Sequence, residues 1–235
     1  MPNICMCMDV HCRSRRCTGL GQVLTFAKVW PVQVTIYAMP SDSQQEIAAT
    51  AARLVVEEGL EFGPAKRRAV RELGLSPRQA LPDNDLLEQE VIDYLQLFCA
   101  DTQPQELRAL RQLALTWMQR LEEFRPHLSG AVWRGTATRL SDIYIQLFCD
   151  DSKQAELLLL DKGVRFEVSS VSGFRGETVD ALSIHSHCEA LNEDIGVHLM
   201  VYDYDDLRGA LLPDSRGRPM RGDIDALQQL VDNAA

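Results

Sequence analysis

Between Gly130 and Asp151 the chain reads GAVWRGTATRLSDIYIQLFCDD, and this run restricts the fold more than any other. From Asp142 onward apolar residues alternate, so that Ile143, Ile145 and Leu147 share one side, the period of a strand with one buried face. Ahead of it stand an apolar group (Ala131, Val132, Trp133), then Gly135-Thr136 and a short polar loop. The pattern predicts strand, Gly turn, strand. It sets Asp142 where the second strand leaves the loop, from which a carboxylate can face a cleft beside the turn. An Asp bonding to turn amides accounts for the same residue without a cleft.

What precedes the run has helical spacing. Ile47, Ala51, Leu54 and Val55 predict a helix over Ser43–Glu58, stopped by Gly59. Gly63-Pro64 starts a short basic helix over Ala65–Leu73, and after a Pro-bounded linker a third helix runs from Asp85 to Cys99. Thr102-Gln103-Pro104 opens a long fourth helix through Phe124, with Leu110, Leu113, Trp117 and Leu121 on a broad apolar face. After the central run, Asp151-Ser152 caps a helix to Leu160. Strand-like segments follow at Val164–Val171, Val179–His187 and Gly196–Tyr202, then a short helix at Asp205–Leu212 and a last one after Asp223. The expectation is an α+β chain, a helical N-terminal half packed against a small mixed β-sheet with flanking helices. It divides as 1–38, 39–127 and 128–235.

Tyr94–Leu110 and Tyr144–Leu160 agree at nine positions at a constant offset of 50, including Gln-Leu-Phe-Cys in both. The first is spaced as a helix and the second alternates as a strand, so the match reads as chance.

With 46% hydrophobic residues in 235, the chain has enough apolar surface for a proper core. Net charge is −10 and unevenly spread: Arg13, Arg15, Arg16 and Lys28 against Asp9 give residues 1–39 a net of +3, leaving −13 for the rest. An acidic body offers no broad basic surface for a phosphate backbone, which disfavours nucleic-acid binding of that kind. The one basic cluster, Lys66, Arg67, Arg68 and Arg71, is either a solvated helix face or a site for phosphates or a partner's acidic surface. No stretch approaches a membrane span, and the N-terminus is a poor secretory signal. Cys99, Cys149 and Cys188 sit in apolar segments as free thiols of a reducing compartment would, which places the chain in the cytoplasm.

Residues 1–38 differ in composition from everything after them and read as a disordered tail or a translated upstream extension, with a strand over Val32–Tyr37 as the structured alternative. Cys5, Cys7, Cys12 and Cys17 lack zinc-finger spacing but with His11 could bind a metal. His185 and His187 share one face of a strand, a pair that could hold a transition metal or simply face solvent, with His198 as a third from a neighbouring strand. No Gly-x-Ser-x-Gly elbow, P-loop or dinucleotide Gly pattern occurs.

Arg134-Gly135-Thr136-Ala137-Thr138 followed by Ser141-Asp142-Ile143 resembles the signature of the DNA-polymerase-β-like nucleotidyltransferase superfamily, in a degenerate form like that of bacterial minimal-type members. In that family a Gly-Ser or Gly-Thr turn precedes an Asp-hydrophobic-Asp pair on the next strand. The resemblance implies a nucleoside triphosphate held by Gly135, Thr136, Arg134 and Ser141, with Mg²⁺ on a catalytic Asp142. It also implies transfer of a nucleotidyl group. Tyr144 stands where the second carboxylate belongs, and His198, within Val197-His198-Leu199-Met200, where the third does. Asp150, Asp151 or Asp203 would have to substitute. A second alignment places Gly130-Ala131 at the turn; Gly135-Thr136 is preferred because Ala131–Trp133 then forms the strand before it. Two functions follow: a Mg²⁺-dependent nucleotidyltransferase, or a pseudoenzyme of that fold acting as a binding or regulatory module, with a protein partner on its helical half. A third reading is an α+β domain with an accidental motif.

Overall fold

A computed structural model describes residues 41–214 and 216–233, all within one unit spanning 39–235. The expectations for the first 38 residues, including the Cys5–Cys17 cluster with His11 and the Val32–Tyr37 strand, lie outside the described residues. The chain is mixed α+β, with its first four helices in the N-terminal half and a six-stranded mixed sheet behind them.

Helix α1 (Asp42–Glu58) starts at a capping box, in which the Ser41 side chain accepts from the Gln44 amide and the Gln44 side chain accepts from the Ser41 amide, and it ends at the left-handed Gly59. Helices α2 (Phe62–Glu72) and α3 (Asn84–Phe98) complete the helical front, α3 capped by the Asp83 carboxylate 2.7 Å from the Leu86 amide. Ile47, Leu54, Ala65, Leu87 and Val91 close a core of their own there. Helix α4 (Gln103–Arg120) instead packs on the sheet. The expected run to Phe124 stops at Arg120, and a 3-10 turn at Glu122–Phe124 follows.

The strands are β1 (His127–Ser129), β2 (Ile143–Cys149), β3 (Glu167–Ser172), β4 (Thr178–Cys188), β5 (Glu193–Asp203) and β6 (Arg221–Gly222). They lie in the order β3-β4-β5-β2-β1-β6, with β2 and β5 parallel and every other pair antiparallel. The remaining helices are α5 (Gly130–Arg134), α6 (Ser152–Asp161), α7 (Leu207–Ala210) and α8 (Ile224–Asp232). Among the described residues no helix is long and apolar enough to cross a membrane.

Register explains how the sheet divides its work. Ile143, Ile145 and Leu147 of β2 lie beside Val197, Leu199 and Val201 of β5, and all six join Leu110, Met118 and Leu227 in the main core. The residues between them face the other way. Tyr144, Gln146 and Phe148 stand beside His198, Met200 and Tyr202, and this second face carries the candidate site.

Two expected elements are corrected. Ala131–Trp133 is not the strand before the turn but lies in α5. The strand is β1, and Gly130, at φ 72°, turns the chain out of it, a conformation that favours glycine. The Gly135 amide then bonds to the Ala131 carbonyl, closing a helical turn. The helix expected over Asp205–Leu212 is shorter, a 3-10 turn at Tyr204–Asp206 followed by the single turn of α7. Gly209 inside it and Pro213 beyond it limit its length.

Candidate functional site

A cleft of about 580 Å³ opens where the α1–α2 connection approaches the start of β2, lined among others by Glu61, Ser129, Gly130, Arg134, Asp142 and Tyr144. Two hydrogen-bonded groups, joined by a ring stack, stand at its wall, with His198 just behind the lining residues. The Tyr144 hydroxyl donates to Glu61 Oε1 at 2.7 Å. His198 stacks on Tyr144 with ring centres 5.0 Å apart, shares a hydrogen bond with Ser183 through Nδ1 at 2.9 Å, and lies 3.2 Å from Asp142 Oδ2 through Nε2. Asp142 has room to turn toward the imidazole because position 196 is glycine. A Cβ there would meet Asp142 Oδ1 at 2.5 Å.

Thus Asp142, Tyr144 and His198 come together at one place, as the parallel pairing of Tyr144 with His198 requires. Arg134 and Ser141 also line the cleft. Arg134 is committed elsewhere, its Nε 3.0 Å from a carboxylate oxygen of the buried Glu88, and Ser141 Oγ accepts from the Thr138 amide at 3.0 Å. Gly135 and Thr136 are not among the lining residues. Gly135 ends α5 beside Arg111, its carbonyl bonded by Gln103 Nε2 at 3.0 Å, and Thr136 is buried. The turn at the cleft is Gly130, the position of the second alignment.

The substitute carboxylates are excluded by distance. Asp150, Asp151 and Asp203 lie at the far end of β2 and β5 from Asp142, about 25 Å away at strand rise. Asp151 caps α6 and Asp203 accepts from the Asp205 amide. The other sequence clusters resolve as well. Lys66 is buried and donates to the Pro82 carbonyl and Asn84 Oδ1, both at 2.7 Å, and Arg68 pairs with Glu58 and Glu72. His185 and His187 are exposed on β4, and His187 Nδ1 lies 3.0 Å from Asp194. Cys99, Cys149 and Cys188 are free thiols, and burial pushes Cys99 and Cys149 up, away from the thiolate a nucleophile needs.

Glu61 is the cleft residue that sequence reading missed. It stands 83 positions from Tyr144 and carries no local motif. The strand that leads into the turn, His127-Leu128-Ser129, was also passed over, because three residues are too few for alternation to register.

The Mg²⁺ that the family resemblance implies can be tested against these donors. Mg²⁺ demands near-octahedral oxygen ligands. Here one oxygen of Asp142 faces His198 and one of Glu61 is taken by a phenol. Among the described residues no group of three or more His, Cys, Asp or Glu side chains could hold a metal ion. The donors do not fit a two-metal site.

Burial and the hydrogen bond to Glu61 both raise the Tyr144 phenol above its ordinary value. A raised pKa means stability that is fully present below the unfolded-state value and is lost as pH rises through the folded one, so the loss begins above about pH 10. Tyr144→Phe removes the latest phenolate step from an ultraviolet pH titration and flattens alkaline unfolding. It also lowers stability near neutral pH by about 1–2 kcal/mol. Loss of a step at the ordinary phenol value of about 10, in place of the latest one, would show that Tyr144 ionises like an exposed phenol.

No family model matches the chain, and no curated protein matches it. Among solved structures the chain is similar to the MgGTP-bound Cid1 poly(U) polymerase, with 16% identity and a TM-score of 0.28 over 43% of this chain and 32% of that one. The chain spans about a third of that protein's length. The fold itself, a strand, a Gly turn, a helix and then β2, which follows directly on Asp142 and runs parallel to β5, is consistent with a nucleotidyltransferase-type sheet.

Proposed function

We propose that this chain is a binding or regulatory module built on a nucleotidyltransferase-type fold, and that its cleft takes a nucleotide-sized ligand without two-metal catalysis. The observation that carries this reading is the hydrogen-bonded set Glu61–Tyr144 and Asp142–His198, which stands where metal carboxylates would be needed. A neutral phenol and an imidazole replace two hard anionic ligands. What remains is a recognition surface. The cleft volume suits a small molecule, and the free lone pairs of Glu61 and Asp142 accept hydrogen bonds from ribose hydroxyls or exocyclic amines. Two carboxylates without a metal repel a bare triphosphate, so base and sugar are the parts this end of the cleft favours. The free thiols suit a reducing compartment, and the cytoplasm is the proposed location.

The competing reading is transfer from a nucleoside triphosphate with Mg²⁺ on Asp142. Calorimetric titration of the full chain with ATP, GTP, CTP and UTP, each with and without Mg²⁺, separates the two. The module reading expects nucleotide binding whose affinity Mg²⁺ leaves unchanged and which Asp142→Ala weakens. Binding that appears only with Mg²⁺ and vanishes in Asp142→Ala, accompanied by pyrophosphate release, would sink it.

A further inference from the structure

Arg221 is a half-buried cation without an anion. It sits on β6 directly opposite Ser129 of β1, on the sheet face that carries Tyr144, Gln146 and Phe148. Among the described residues no carboxylate lies within ion-pair distance of its guanidinium, and Nε and Nη1 are shielded from solvent with no hydrogen-bond partner. Its one close neighbour of note is the Phe174 ring, 5.0 Å from the guanidinium carbon. Phe174 packs on Tyr202 at 4.8 Å, and Tyr202 stacks on Phe148 at 5.6 Å, so the head of Arg221 lies over this face.

A second unmatched group opens on the same face. Gln146 is 4% exposed, and its Oε1 is shielded and unpartnered. Gln146 stands between His127 of β1 and Met200 of β5. Buried polar groups are almost always paired, and a buried charge without a partner is costly. Two such groups on one face point to something that completes them. The carboxylate of Glu177 does not pair with Arg221: it forms no ion pair with the guanidinium, its Oε2 accepts from the Arg175 amide in the tight turn after β3, and its Oε1 is shielded without a partner.

We propose that Arg221, with Gln146 on the same sheet face, is the seat of an oxyanion-binding site that takes a phosphate or carboxylate group. The planar guanidinium fork matches two oxygens of such an anion, which a lysine ammonium does not. Turning the Gln146 amide exchanges its unpartnered acceptor for an N–H donor on this face. Phe174 supplies an apolar wall that keeps water from competing for the cation. The site is separate from the Glu61–Asp142 cleft end, and the inference does not rest on the reading given to that cleft.

The test uses the full chain in thermal unfolding and calorimetric titration, with inorganic phosphate and a nucleoside monophosphate as probes, at ionic strength held constant with chloride. In the unmodified protein phosphate at about 100 times its Kd raises Tm by about 5 °C or more. Arg221→Met abolishes the rise and, by removing an unpaired buried cation, leaves Tm without phosphate unchanged or higher. Arg221→Lys, which keeps the charge and loses the fork, binds at least about tenfold more weakly. Asp142→Ala leaves the phosphate response intact, which separates this site from the cleft. Tighter binding of the monophosphate that Arg221→Met removes and Asp142→Ala leaves unchanged would identify the anion as part of a nucleotide, and equal binding would identify it as free phosphate. The absence of any phosphate response in the unmodified protein overturns the proposal, as does an equal response in Arg221→Met. Should Arg221→Met fail to fold, the Arg221→Lys comparison decides in its place: affinity equal to that of the unmodified protein overturns the site.

Discussion

Phe148→Ala lowers the unfolding free energy by about 3–5 kcal/mol, while Phe98→Ala, in the same Gln-Leu-Phe-Cys tetrapeptide, costs less than about 1 kcal/mol. Phe148 is fully buried on the second face of the sheet, in a small cluster with Val179, Tyr202 and Ala210. Its ring meets Tyr202 at 5.6 Å and the edge of His127 at 5.5 Å. Truncation removes the transfer energy of the ring, leaves a cavity between strands that cannot close, and loses two aromatic contacts of about 0.5–1.5 kcal/mol each. Phe98 is 64% exposed at the end of α3 and touches one ring, Tyr94, at 4.6 Å. Urea unfolding of the two variants checks this directly. Equal losses would show that the two copies of the tetrapeptide are buried alike.

Glu88→Ala is expected to cost about 2–3 kcal/mol, reduced from the 3–5 typical of a broken buried pair because its partners keep some contact with water. The Glu88 carboxylate of α3 is 6% exposed and meets Arg134 of α5 at 3.0 Å and Arg218 of the loop before β6 at 3.0 Å. Arg218 also bonds to Asp214 at 2.9 Å. One buried anion therefore holds a helix of the front, the helix after the Gly turn and the C-terminal loop in one place. Removing it leaves Arg134 unpaired at the cleft wall. Glu88→Gln keeps hydrogen bonding without the charge and falls between. A double-mutant cycle of Glu88→Ala with Arg134→Ala measures the coupling, and a coupling near zero would mean that Arg134 is held by packing alone.

The shared tetrapeptide also shows where sequence reasoning had force. Gln96–Cys99 ends a helix with Leu97 and Phe98 exposed, whereas Gln146–Cys149 is a central strand with Leu147 and Phe148 buried. The four residues carry no preference strong enough to choose. Their neighbours choose for them: helical spacing of Leu87, Val91 and Leu95 before one copy, alternation of Ile143 and Ile145 before the other. The same logic made α1 to α4, β2 and β5 legible, because their periods are long enough to read.

It failed where elements are short. Ala131–Trp133 is apolar and could be strand or helix, and a three-residue strand before Gly130 gives no period at all. That Asp142, Tyr144 and His198 lie together was legible because a motif placed the first two and one strand context placed the third. Glu61, Glu88 and Arg221 were not, since their meaning lies in partners 83, 46 and 47 positions away: Tyr144, Arg134 and Phe174.

The sequence by itself determined the α+β class, the helical front and the buried faces of the central strands, because periodic burial of apolar side chains is written in local order. Only the tertiary structure decided which glycine makes the turn at the cleft, and that a phenol and an imidazole tie up its carboxylates. It alone also left Arg221 without an anion. Those are contacts between distant parts of the chain, fixed by strand register and helix docking, for which no stretch of sequence carries a local signal.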